Sequence, residues 1–101
     1  MQYNLQYSVE AESDLINIFN SILEVSADID TAEKYVNDIM NKVSEQKNHP
    51  KTGTILWCGS IPTEYYFVKH KSHLAFYLIR YNSILVSRIL PEKMDYINEL
   101  F

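Results

Sequence analysis

A chain of 101 residues, 47% apolar and 22% charged, has room for one packed core and reads as a single domain over residues 1–101. Its one cysteine, Cys58, excludes an internal disulfide and fits a reducing cytoplasm, and no run approaches the roughly 18 apolar residues a membrane span needs. The opening MQYNLQYSVEAESD lacks the basic and apolar regions of a signal peptide, and a net charge of -4 argues against direct coating of nucleic acid.

Taken in order, Tyr3, Leu5, Tyr7 and Val9 alternate with polar residues and predict a short strand. From Glu10 the period becomes helical. Leu15, Ile18, Phe19, Ile22 and Leu23 share a stripe, Ser8 stands as N-cap, and Glu10, Glu12 and Asp14 suit the positive end of the helix dipole. The helix fades near VSADID. Asp30 or Thr31 then caps a second helix carrying Ala32, Tyr35, Val36, Ile39, Met40 and Val43, which completes an antiparallel helical hairpin. Pro50 and Gly53 break the pattern. TILWCGSIP is either irregular or a short edge strand. TEYYFVKH, HLAFYLIRY and SILVSRIL predict a three-stranded antiparallel meander, with HLAFYLIRY central because LAFYLI is apolar on both faces. Pro91 ends the last strand, and its fixed φ suits the first turn of a short C-terminal helix. The order predicts an α+β, two-layer fold.

Few side chains point to chemistry. Cys58, beside Trp57, reads as a small buried hydrophobe. His70 and His73 straddle a turn with no second metal-type ligand near them, so no metal is expected, and no glycine-rich loop implies a cofactor. No catalytic residue is assigned. Residues 1–46 hold nine acids and two bases, whereas residues 47–101 hold seven bases and four acids. Arg80 and Arg88 interrupt apolar strands, at parities that suit one exposed face shared with Leu78, Val86 and Leu90. With Lys69, Lys71 and Lys93 they form a candidate basic patch, or stand as separate surface charges.

These elements and several strings resemble the RelE/ParE toxins of type II toxin–antitoxin systems over nearly the whole chain. YSVEAESDLINIF resembles the family's strand-to-helix opening, TAEKYVNDI its second helix, HPKTG its Pro-x-x-Gly loop and HLAFYLI its central strand. VSRILPEKMD resembles the ending of the ParE branch. The resemblance implies a cytoplasmic toxin, often plasmid-borne, that is silenced by a cognate antitoxin in a hetero-oligomer. One branch cuts mRNA in the ribosome with strand arginines and a basic or tyrosine-bearing tail. The ParE branch instead poisons DNA gyrase without nuclease activity. Here Leu74 and Tyr66 occupy positions where the cutting branch carries arginine, and the tail offers Tyr96 without a neighbouring histidine or arginine. The expectation is therefore a ParE-like gyrase inhibitor, contacting its target through Lys69, Lys71, Arg80, Arg88 and Lys93. The alternatives are an mRNA interferase with a rearranged site, in which Glu64 could act as base, and an inactive antitoxin-binding member.

The tail PEKMDYINELF is expected to dock rather than catalyse. Met94, Ile97 and Phe101 fall near one face, to lie on the sheet or meet the antitoxin, while Glu92, Lys93 and Asp95 point to water.

Overall fold

The structure, a computed structural model, describes residues 2–101. Its elements run β1 (Asn4–Tyr7), α1 (Val9–Ser26), α2 (Ile29–Ser44), two single-turn 3-10 helices (Glu45–Lys47 and Pro50–Thr52), β2 (Thr54–Cys58), β3 (Ile61–His70), β4 (His73–Arg80), β5 (Ser83–Pro91) and α3 (Tyr96–Leu100). This is the α+β order that the sequence predicts, and TILWC resolves as an edge strand.

Ser8 makes the switch from strand to helix. Its backbone is extended, and its Oγ accepts the Ala11 N–H at 3.0 Å, which satisfies one of the orphan donors of the first turn. The same hydroxyl donates to the Ser87 carbonyl at 2.7 Å and ties the start of α1 to β5. The second cap differs from expectation. Asp28, not Asp30 or Thr31, accepts the Asp30 N–H and the Thr31 hydroxyl, so α2 begins at Ile29 and only Ala27 and Asp28 join the helices. Asp28 prevails because its extended backbone (φ -140°, ψ 112°) lets the carboxylate fold back onto the first turn.

The sheet has strand order β1-β5-β4-β3-β2. β1 pairs with β5 in parallel, and the other pairs are antiparallel. A bulge at Ser87 shifts the β4–β5 register, so that Tyr77 pairs with Val86 but Phe76 with Arg88. The bulge corrects one expectation. Arg80, Arg88, Leu78 and Leu90 lie on one side of the sheet, but Val86 is carried to the other, where it is fully buried with Ile84, Ala75 and Tyr77 under the helices.

β4 is central and covered on both faces. On the helix side Ala75 and Tyr77 pack with Ile39, Val43 and Ile18; on the far side Leu74 and Phe76 pack with Leu56 and Leu90. The far cluster is closed by the tail, as its need for cover predicts, but through different residues. Tyr96 and Leu100 are the packed positions. Of the expected docking residues, Met94 is 38% exposed, Ile97 is half-buried outside that cluster, and Phe101, 73% exposed, rests edge-on against Tyr65. The physical reason is where the helix starts. A turn follows Pro91, α3 begins only at Tyr96, and the inward positions are therefore 96 and 100, one helical turn apart. Pro91 accordingly ends β5 rather than opening a helix. Cys58 is another correction: it is exposed at the end of the edge strand β2, where no layer covers it.

Candidate functional site

The candidate residues sort by the surface each occupies. Lys69, Lys71 and Lys93 gather at one end of the sheet, around the β3–β4 turn and the β5–α3 turn. The two turns are joined there by Glu92 N–H donating to the Ser72 carbonyl at 2.8 Å. Lys69 pairs with Glu92 at 2.8 Å, and Lys71 Nζ lies 5.6 Å from the centroid of the Tyr35 ring. Tyr35 itself reaches down from α2 and bonds His73 Nδ1 at 2.8 Å, with its ring edge-on to both His70 and His73. Burial pushes both imidazoles below their ordinary pKa of 6.5. This end of the molecule joins helix, sheet and tail.

Arg80 sits at the opposite end of β4, exposed, and pairs with Glu64 at 3.3 Å. The five candidate cations therefore do not share one patch: three lysines lie at one end and Arg80 at the other. Arg88 has a different environment again. Its Nε and Nη2 bind the two Asp14 carboxylate oxygens at 2.8 and 3.1 Å, and Asp14 Oδ2 also accepts the Ile89 backbone N–H at 2.9 Å. Hydrogen bonds that Arg88 donates to the Asp14 carboxylate hold its guanidinium above its ordinary pKa. Arg88 then reaches Glu99 of α3 at 3.3 Å. It bridges α1, β5 and the tail, and with its fork engaged it offers little to an external ligand.

Groups that could serve RNA cleavage are likewise engaged. The Tyr96 hydroxyl donates to the Glu92 carbonyl, and Glu64 faces Arg80. Among the described residues no group of three or more His, Cys, Asp or Glu is placed to hold a metal ion, and no helix is long and apolar enough to cross a membrane.

An apolar groove lies on the outer side of the helical hairpin. Leu15, Ile16, Phe19, Val36 and Met40, with Glu12, line a groove of about 380 Å³ between α1 and α2. Ile16 is 61% exposed, and Val9 on α1 and Ile29 on α2 continue the apolar surface towards the two ends of the hairpin. Ile16 was missed by the sequence reading. The signal was present: from Ile18 through Ile22, Leu15, Phe19 and Leu23 to Ile16 the apolar positions of α1 span about 160° of the helix circumference, wider than the roughly 100° of one buried face.

The model of the ParE toxin of type II toxin–antitoxin systems, parDE, matches residues 5–96. The chain belongs to the ParE toxin family. Among solved structures, the chromosomal ParDE TA system from P. aeruginosa superposes with a TM-score of 0.73 at 20% identity, covering 89% of this chain and 96% of that one. At that identity the likeness speaks for the fold. The search of curated proteins gave no match.

Proposed function

We propose that this ParE-family protein is a growth-arresting toxin that acts on DNA gyrase, and that a cognate antitoxin silences it by laying an apolar segment into the α1–α2 groove. The groove carries the antitoxin half of the reading. Ile16, Val9 and Ile29, at 61%, 74% and 57% exposure, continue the groove as apolar surface that a partner segment would bury. The hairpin surface spans about 24 Å, from the 1.5 Å rise over some 16 residues, enough for an amphipathic helix of four turns.

The target half rests on ParE membership, supported by the engagement of the Arg88 fork with Asp14 and Glu99. RNA cleavage needs a free base, cations at the phosphorane and an acid at the leaving oxygen. Lys69, Lys71 and Lys93 are the contacts proposed for the target. The test is supercoiling by purified gyrase in the presence of the purified toxin. Loss of supercoiling with trapped cleavage complexes is expected, and co-expression with the product of the adjacent small reading frame should restore it. Intact supercoiling together with ribosome-dependent mRNA cleavage would replace this reading with the interferase one. Neither effect, with the neighbour still bound, would mark an inactive antitoxin-binding member.

A further inference from the structure

We infer that the exposed edge of β2 pairs with β2 of a second copy of this chain, antiparallel and centred on Leu56, so that two five-stranded sheets join into one. The two edges of the sheet are treated differently. At the β1 side the edge strand is only four residues long, and the Tyr3 N–H is taken by the Lys47 carbonyl. Where β5 runs past β1, Asp14 occupies the Ile89 N–H and Pro91 has none to offer. Short length, an occupied donor and proline are the devices that protect an edge from further pairing.

β2, at five residues, is little longer than β1, but it lacks the other devices. Residues 52–63 contain no charged side chain, and β2 itself contains no proline. Its register irregularity against β3 falls on the β3 side: Ile55 pairs with Tyr66 and Trp57 with Pro62, which leaves residues 63–65 of β3 opposite Leu56 alone. β2 therefore keeps its regular pleat. Its outward apolar residues are large and wet, with Trp57 54%, Ile55 36% and the neighbouring Ile61 67% exposed.

Charge selects the occupant. The helical hairpin is strongly acidic and calls for a cationic partner, whereas β2 offers a cation nothing to bind. An edge with no charge also lacks the like-charge repulsion that normally prevents a strand from pairing with its own copy. Self-pairing about Leu56 sets Ile55 opposite the partner's Trp57 twice over, a β-branched–aromatic match, and sets Thr54 opposite the partner's Cys58. A two-fold axis makes the interface closed, so the assembly stops at two.

The register gives a sharp test. Within one chain residues 54 and 58 lie about 13 Å apart along the strand, and the two Cys58 residues of the dimer stand off by the same amount, so neither pair can form a disulfide. T54C places its thiol opposite the partner's Cys58. Under mild oxidation the full-length T54C chain should form a disulfide-linked dimer, while the wild-type chain should not. By analytical ultracentrifugation the wild-type chain should move from 11.9 kDa towards about twice that mass as concentration rises. W57K, whose new charge would face solvent in a monomer, should remain monomeric with an unchanged far-UV circular dichroism spectrum. A wild-type chain that stays monomeric at every concentration would overturn the inference. So would Cys58–Cys58 linkage in the wild-type chain, or T54C cross-linking that disappears when the antitoxin is bound, which would assign the edge to the antitoxin.

Discussion

Asp14 makes three bonds from one carboxylate: two to the Arg88 fork and one to the Ile89 N–H beside the Ser87 bulge. The ion pair is partly buried, at 11% and 24% side-chain exposure, so losing one partner leaves the other poorly solvated. Asp14→Asn should lower stability by about 2 kcal/mol in urea unfolding, the scale of hydrogen bonds to charged groups. Gly53 is fixed by space rather than by backbone conformation. Its φ is -66°, but an added Cβ would lie 2.2 Å from the Tyr77 hydroxyl, which is itself bonded to Pro50 O and Gln46. Gly53→Ala should cost about 1–3 kcal/mol by overpacking. The cost should shrink in a Tyr77→Phe background, a coupling that a double-mutant cycle reads directly. His70 and His73 set the pH response. Both are depressed by burial, with Lys34, Lys42, Lys71 and Asp38 as the charges acting on His70 and His70 itself acting on His73. The unfolded chain therefore takes up protons first. Their contribution is complete above pH 6.5 and is lost as pH falls from there through the depressed folded values. Thermal melts should show a falling Tm over that window, and His73→Gln should flatten it.

At the scale of elements, the tail is held by a few separate contacts on a helix of five residues: Tyr96 against Phe76 at 5.0 Å between ring centroids, Phe101 edge-on to Tyr65 at 5.5 Å, Leu100 in the far-side core, and Glu99 on Arg88. A helix this short has no stability of its own, so one charged substitution at its apolar anchor should release it. Leu100→Asp should abolish amide protection over residues 96–100 in hydrogen exchange while the remaining sheet keeps its protection. Tyr96→Phe keeps the contact with Phe76 and should change stability by no more than about 1 kcal/mol. Global unfolding of Leu100→Asp would show instead that the tail is part of the main core. β1 and the two long helices were legible in the sequence from their periods, and the apolar run through Leu74–Tyr77 identified the central strand, whereas TILWC, with apolar residues on both faces and no period, left β2 open. The tail's register and the Ser87 bulge were not legible, because both depend on contacts distant in sequence. Ser8 and Asp14 hold the bulge from 79 and 75 residues away. The left-handed residues Lys71 (φ 52°) and Tyr81 (φ 48°) are neither glycine nor asparagine; the strand patterns on either side located the first turn, and Asn82 beside Tyr81 marked the second.

At the scale of the whole molecule, the acidic half and the apolar groove coincide. Glu12 lies in the groove wall, and Glu33 stands one turn before Val36 on α2. Of the two lysines in this half, Lys34 is already paired with Asp38 at 2.8 Å. A partner segment that fits this face carries apolar residues at helical spacing, flanked by lysine or arginine. Two kinds of substitution separate the contributions. Ile16→Glu puts a charge into the apolar wall at a position already 61% exposed, so the toxin should fold normally by circular dichroism. Antitoxin binding should nevertheless weaken through faster dissociation, because desolvated apolar anchors govern the off-rate. Glu12→Lys with Glu33→Lys leaves the apolar wall intact and reverses the sign of the rim. It should slow association, most strongly at low ionic strength, and should reduce the salt dependence of the on-rate. Measuring both rates by surface plasmon resonance at two salt concentrations distinguishes the cases. If neither substitution changes binding while the antitoxin still co-purifies, the antitoxin sits elsewhere on the toxin, and the exposed residues of the hairpin serve another partner.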